Sequence, residues 1–290
     1  MLAAAILVSA PLLLNAQDTY TIKVKVGGKG VTTLVTKEES DENRSVITLA
    51  DGKVIKQTDA KKKLTNYRQE ILEQEVGQWP TKVRRVYEKA LVTKPDGKTI
   101  VKERPFHGKA LLIATNDGKP TFQIEGGAEL AGKDVPDLVK EFSKKGDPAK
   151  EWQLLVPAKP VAVGESWKLD KKGIKKLLGA EDEDKIFIAD FDKATATGKL
   201  VKAYKKDGRQ FGIVQYEVMV PLAKVGELEF KAGAKVTAKL TADVCIDGSA
   251  DTGVMRGTFQ MKGEAAGPMG ILVQMDVSGS ATESTQELKK

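Results

Sequence analysis

The stretch "GELEFKAGAKVTAKLTADVCID", Gly226 to Asp247, sorts itself when every second residue is read. Leu228, Phe230, Ala232, Ala234, Val236, Ala238, Leu240, Ala242, Val244 and Ile246 fall on one side. Glu227, Glu229, Lys231, Lys235, Thr237, Lys239, Thr241 and Asp243 fall on the other, with Gly233 and Cys245. A period of two is that of a strand with one apolar face and one solvated face. At about 3.3 Å per residue such a ribbon would extend roughly 65 Å, longer than a domain of this size is wide. It must curve strongly or break, and Gly233 among small alanines is the expected place.

Alternation continues on both sides of this ribbon. Met255, Phe259 and Met261 alternate with Arg256, Thr258 and Gln260, and Ile271, Val273, Met275 and Val277 alternate with Leu272, Gln274, Asp276 and Ser278. Toward the N-terminus, Tyr20, Ile22, Val24 and Val26 read as a strand, "GGKG" at 27–30 as a turn, and Val31 to Thr36 as the return strand. Four further hairpins are expected, turning at Asp51-Gly52, Pro95-Asp96-Gly97, Asn116-Asp117-Gly118 and Asp207-Gly208, because Asp-Gly and Asn-Asp-Gly tolerate the positive φ of tight hairpin turns.

A few segments read as helices. Residues 58–80 place Leu64, Tyr67, Ile71, Leu72, Val76 and Trp79 on one stripe, with Thr58 or Asp59 as cap and Gly77 and Pro80 as stops. Residues 134–146 offer Asp134 as cap, Pro136 in the first turn and Val135, Leu138, Val139 and Phe142 inward. Short helices are also expected after Asp147-Pro148, carrying Trp152 and Leu155, and over "DKKGIKKLLG". The expected fold class is therefore mainly β, α+β: a long curved antiparallel sheet or half-barrel with a few covering amphipathic helices. The Pro157–Pro160 connector divides residues 17–156, a β-rich half with covering helices, from 157–290, a β-meander half; the two halves are open to being one continuous domain.

The chain has 290 residues, 41% hydrophobic and 30% charged, which suits a globular protein with a sizeable core. "MLAAAILVSAPLLLNA" is too short an apolar run to span a bilayer, which needs about 20 residues. It reads as a signal peptide over 1–16, so the expected location is periplasmic or secreted, and not transmembrane after cleavage. One cysteine, Cys245, excludes an intrachain disulfide. Most of the formal charge of +7 sits in residues 81–150, which hold 15 Lys/Arg against 10 Asp/Glu, but the basic residues there alternate with acids as on a solvated face. Nucleic-acid interfaces concentrate basic charge and aromatics, so no nucleic-acid partner is expected.

Catalytic chemistry finds little to work with. The single His107 stands beside Pro105 and Gly108, and no GxSxG elbow accompanies it. Zinc needs several His or Cys, and the chain has one of each. "DGSADTG" places Asp247, Ser249 and Asp251 at alternate positions, but Thr258 stands where a calcium loop needs its bidentate Glu. The acid run at 181–184 reads as a solvated loop. No enzyme, cofactor or metal is expected. The expected ligand is an apolar small molecule or lipid on the ribbon's inner face, at Leu228, Phe230, Val236, Leu240 and Val244, where alanines leave room. The alternative is a structural or interaction module of the cell envelope, whose lysine-bearing outer face meets an anionic polymer. A transmembrane β-barrel is disfavoured, because aromatics make up only 6% of residues and the outward face is charged.

The phrase Pro157-x-x-Pro160-Val161-x-Val163-Gly164-Glu165-Ser166-Trp167 resembles one in uncharacterised exported bacterial β-rich proteins. The pattern of long alternating strands covered by helices is similar, in architecture, to the lipoprotein-carrier half-barrels. That likeness implies acyl chains held between a curved sheet and its helices, and transfers no individual residue.

Overall fold

The computed structural model describes residues 18–96, 98–178, 187–225 and 227–288. The expected signal peptide, the Gly97 turn position and the 181–184 acid run lie outside the described residues.

The chain is mainly β. After β1 (Thr19–Tyr20) come the long strands β2 (Thr32–Thr48), β3 (Val54–Glu73) and β4 (Lys82–Asp96), then β5 (Lys98–Glu103), β6 (Ala110–Asn116) and β7 (Lys119–Ile124). Helices α1 (Pro136–Phe142) and α2 (Pro148–Gln153) follow, then β8 (Val161–Ala162), β9 (Ser166–Lys168) and α3 (Lys171–Leu177). The remainder is strand: β10 (Phe187–Ala189), β11 (Thr195–Lys206), β12 (Arg209–Val225), β13 (Leu228–Phe230), β14 (Lys235–Cys245), β15 (Gly253–Ala266) and β16 (Leu272–Glu287). Apart from the β1–β8 pair, the strands form one 14-stranded antiparallel sheet running from β7 to β9. Its two sequence halves are joined by β2 and β16, which pair continuously from Thr33↔Glu287 to Thr48↔Leu272.

The ribbon at 226–247 is two strands. β13 and β14 both pair with β12 and β15, and between them the chain breaks at Gly233, whose φ is +96°. A β-carbon is disfavoured at that angle, so the break sits where the small residue permits it. The hairpins at Asp117-Gly118 and Asp207-Gly208 close with positive φ at both turn residues, the geometry that matches strand twist.

Residues 58–80 are not a helix. They contribute most of the 20-residue strand β3 and its exit. The buried Tyr67 and Ile71 are four apart, which satisfies both a helical turn and two strand periods. Pairing with β2 from Val54 to Glu70 and with β4 over half of the strand decides between the two. Residues 18–31 also do not form a hairpin with β2. They cross between the halves, placing Ile22 in the core of the second half and donating from Gly30 N–H to the Ile71 carbonyl of the first (2.7 Å). The helices at α1, α2 and α3 lie where expected. Asp147 and Asp170 cap α2 and α3 through their side chains, whereas α1 starts at Val135 and Pro136 without a side-chain cap.

Two apolar cores sit on the same face of the sheet. Cross-strand partners share a face, and the row Tyr67–Val35–Thr285–Gly253–Val244–Gly212 runs through β3, β2, β16, β15, β14 and β12. Tyr67 and Val35 belong to the core under α1; Val244 packs on the core beneath α2 and α3. Inward residues Val214, Tyr216, Val218 and Val220 of β12 are each at most 5% exposed, and burial of such a side chain contributes roughly 1.5–3 kcal/mol. From β4 to β12 the sheet takes six strand steps, about 29 Å at 4.8 Å each. Only residues 143–147 connect α1 to α2, and Trp79, just beyond β3, donates from Nε1 to Glu151 of α2 (3.3 Å). The sheet therefore curls around the face that carries the helices, which is its inner face.

Candidate ligand-binding surface

One end of the sheet, here its upper end, carries the β2–β3 turn at 49–53 and the β15–β16 turn at 267–271. The lower end is closed by the crossing segment 18–31 and by the α1–α2 connection. Between the filled lower part and the buried Ala265 and Val273 at the upper end, the inner face of β15 and β16 is open along its middle stretch. Met255, Met261, Met275 and Val277 are half-buried and Phe259 is 39% exposed. Their neighbours in register are small: Gly257 faces Ala281, Gly263 faces Met275, and Gly279 faces Phe259. The Phe259 ring lies over Gly279, and the Phe230 ring lies over Gly263, each where a β-carbon would overlap it. The result is an apolar strip with a glycine floor, flexible methionines and one partly exposed ring.

The strip has a charged border. On the adjoining inner faces of β2 and β3, Lys63 pairs with Glu39 (3.0 Å) and Asp137 (3.4 Å), Lys37 pairs with Glu283 of β16 (2.9 Å), and Asp41 stands opposite Lys61. Deeper still, Arg85 of β4 is 3% exposed. Its guanidinium makes two bonds to Glu141 of α1 (3.0 and 2.5 Å), a third to Gln69 (2.6 Å), and stacks on Tyr67 and Phe142. Burial pushes the Glu141 carboxyl up, but Arg85 and Lys37 outweigh it and hold the pKa at about 2. Burial likewise opposes the charged form of Lys37, and Tyr67, Glu141 and Glu283 reverse the sign and raise its pKa. This network ties α1 to the sheet and sets one wall of the strip.

The residues expected from the ribbon divide between wall and core. Leu228 and Phe230 of β13 are half-buried at the upper end. Val236 is buried with Leu222 and Ala234, and Phe230, Met261 and Leu178 pack on that cluster. Leu240 and Val244 are taken up against the core that contains Leu155, Leu169 and Ile174. Phe259, Met261, Met275 and Val277 were legible only as alternating residues; what places them beside Val236 is the β14–β15–β16 register.

The other singled-out residues serve the fold. His107 Nδ1 accepts the Ala90 N–H (3.0 Å) where β4 bulges. Cys245 lies on the outer face, yet is 1% exposed, packed with Phe211 and Ala250. Asp247 accepts from the N–H groups of Gln210 (2.8 Å) and Ser249 (2.9 Å) and from the Cys245 thiol, which hold its pKa well below the usual carboxylate range. Asp251 is driven the other way: burial, then the Glu287 carboxylate, push its pKa up to about 6, against the Gly27 N–H and Lys25. Among the described residues no three His, Cys, Asp or Glu side chains gather as a metal site would require. Among those residues, too, no helix is long and apolar enough to cross a membrane.

No protein-family model matches the sequence, and no curated protein matches it. Among solved structures the chain is distantly similar to lipovitellin, in a study of lipid–protein interactions, with a TM-score of 0.36 and 7% identity over 91% of this chain and 26% of that one. It therefore spans about a quarter of the lipovitellin chain. It is also similar to the COG4313 outer membrane channel from Pseudomonas putida F1, with a TM-score of 0.20 and 8% identity over 90% of this chain and 97% of that one. A DUF1329 family protein from Desulfovibrio piger ATCC 29098 gives 0.12 and 10% over 83% of each chain. At these scores the likenesses carry no argument about function.

Proposed function

We propose that the protein is an exported, non-enzymatic binding or carrier protein for an apolar ligand such as a lipid. The observation that supports this reading is the apolar strip on the inner face, left open between two filled cores and bearing the 39%-exposed ring of Phe259. Concave apolar surfaces with a few polar groups at the border are where small apolar ligands bind. Phe259, Met261, Met275 and Val277 form the contact surface in this reading. Leu228, Phe230 and Val236 form the adjoining wall, and Leu240 and Val244 brace it from the core. Methionines suit the role because their side chains re-pack around ligands of different shape. The periplasm or extracellular medium is the proposed location, resting on residues 1–16.

The test is to purify the chain from its native host without detergent, extract it into organic solvent and identify the released molecules by mass spectrometry. A stoichiometric lipid or other apolar species supports the carrier reading. An empty, stable protein sinks it.

A second reading is an interaction module of the envelope. It is favoured by a shallow groove of about 440 Å³ on the outer face, lined by Ser40, Glu42, Thr237, Lys239, Thr258 and Gln260 among others. Binding of an anionic polysaccharide that Lys239→Glu weakens, in a protein that carries no lipid, would select this reading.

A further inference from the structure

Nine large apolar side chains are exposed among the described residues, and four of them meet at the upper end of the sheet: Val54 (53%), Ile55 (41%), Met269 (85%) and Leu272 (45%). The register makes them neighbours. Leu272 pairs with Thr48 and Thr48 with Val54; Val273 pairs with Ile47 and Ile47 with Ile55. Met269 tips the turn beside them. Two more of the nine, Ile100 (46%) and Val101 (57%), lie on β5, level with Lys61 and Lys62 of β3 and so well below this end.

Successive strand residues point to opposite faces. Val54 and Leu272 are therefore on the outer face and Ile55 on the inner one. No ligand confined to the inner strip covers both. What covers apolar groups on both faces of a sheet end is a medium that surrounds the end. The backbone agrees with a specialised tip. Met269 sits at φ +57°, ψ +30°, a left-handed conformation disfavoured for a side chain with a β-carbon. Here it holds the most exposed methionine thioether outward.

The charge around the tip selects the medium. Lys53 and Lys56 on the β2–β3 hairpin are exposed, and neither is in an ion pair among the described residues. The 267–273 turn carries no charge, and Asp51, which accepts the Lys53 N–H (2.9 Å), offsets one of these two lysines, leaving the hairpin tip net basic. An apolar tip beside a net basic hairpin fits an anionic bilayer surface, which attracts the lysines while the apolar groups enter the headgroup boundary.

We propose that the upper end of the sheet, formed by the β2–β3 and β15–β16 hairpin tips, docks on anionic lipid membranes. The inner strip lies below this end, behind the buried Ala265 and Val273, so docking would bring the strip near the bilayer. That purpose rests on the carrier reading; the docking surface does not.

The test is flotation of the full chain with phosphatidylcholine vesicles, with and without phosphatidylglycerol. The wild type is expected to float with the anionic vesicles and not with the neutral ones, and added salt releases it. The double variant Met269→Asp/Leu272→Asp is expected to lose at least tenfold in binding, and Lys53→Glu/Lys56→Glu to lose its preference for anionic vesicles, with circular dichroism melting unchanged in both. Equal flotation of the wild type and the Met269→Asp/Leu272→Asp variant overturns the proposal, as does a wild type that stays in solution. A dimer in vesicle-free sedimentation that this variant dissociates overturns it too, since a second copy then covers the tip. Flotation by a protein that yields no co-purified lipid leaves docking intact and removes the carrier reading, so the two fail separately.

Discussion

The ring of Phe259 on β15 lies across Gly279 on β16, paired with it in register, so closely that a β-carbon on Gly279 would overlap it. The glycine is therefore part of the strip: it lets a partly exposed phenyl ring lie flat on the sheet. Gly279→Val lifts the ring, and overpacking of this kind costs about 1–3 kcal/mol. On the carrier reading it also lowers affinity for a fluorescent long-chain fatty acid about tenfold, equivalent to about 1.4 kcal/mol. Phe259→Ala is expected to lose similar affinity at little cost in stability, since the ring is already partly in water. Probe titration alongside urea unfolding checks both.

The Arg85–Glu141 pair predicts a large stability effect away from the strip. Glu141→Ala leaves a guanidinium buried without its carboxylate, which typically costs 3–5 kcal/mol. Replacing both partners, Arg85→Met with Glu141→Leu, removes the buried charge and is expected to recover most of that loss. Equilibrium urea denaturation of the three proteins makes the comparison. A Glu141→Ala protein as stable as the wild type would mean that water reaches Arg85.

Asp251 predicts a pH dependence of known sign. Its folded pKa of about 6 lies above the unfolded value near 3.9. The folded state thus holds the proton more strongly. The contribution is fully present below about pH 4 and is lost as pH rises through about 6. Glu283, Glu287 and Lys25 face the same carboxyl. Asp251→Asn mimics the protonated form, so the variant should gain on the wild type by about 1.4 kcal/mol between pH 5 and 8. Denaturation midpoints at both pH values check this. A constant difference between the two proteins would contradict it.

Much of the architecture was legible because local chemistry sets it. Asp117-Gly118 and Asp207-Gly208 accept positive φ at both turn positions, so their hairpins follow. Asp147 and Asp170 provide side-chain caps, and Pro148 starts its helix without losing a bond. Gly233 marks the break in the ribbon. Residues 58–80 were illegible because Tyr67 and Ile71 suit both periods, and only β2 and β4 settle the choice. The strip was illegible for a related reason. Its Met and Phe residues alternate visibly, but their neighbours come from β14, β16 and β2, and the β2–β16 pairing joins residues more than 200 positions apart. No local signal encodes that register. Leu240 and Val244 were readable as inward-facing; the core that takes them up comes from α2, α3 and the segments between them.

The most direct measurement of the account's central claim is photocrosslinking with a long-chain fatty acid carrying a diazirine near its methyl end, mapped by peptide mass spectrometry. The account predicts labels on β15 and β16 at Phe259, Met261, Met275 and Val277, suppressed by unlabelled fatty acid and lost in Phe259→Asp. Labels on the outer face, or none that competitor suppresses, would contradict it.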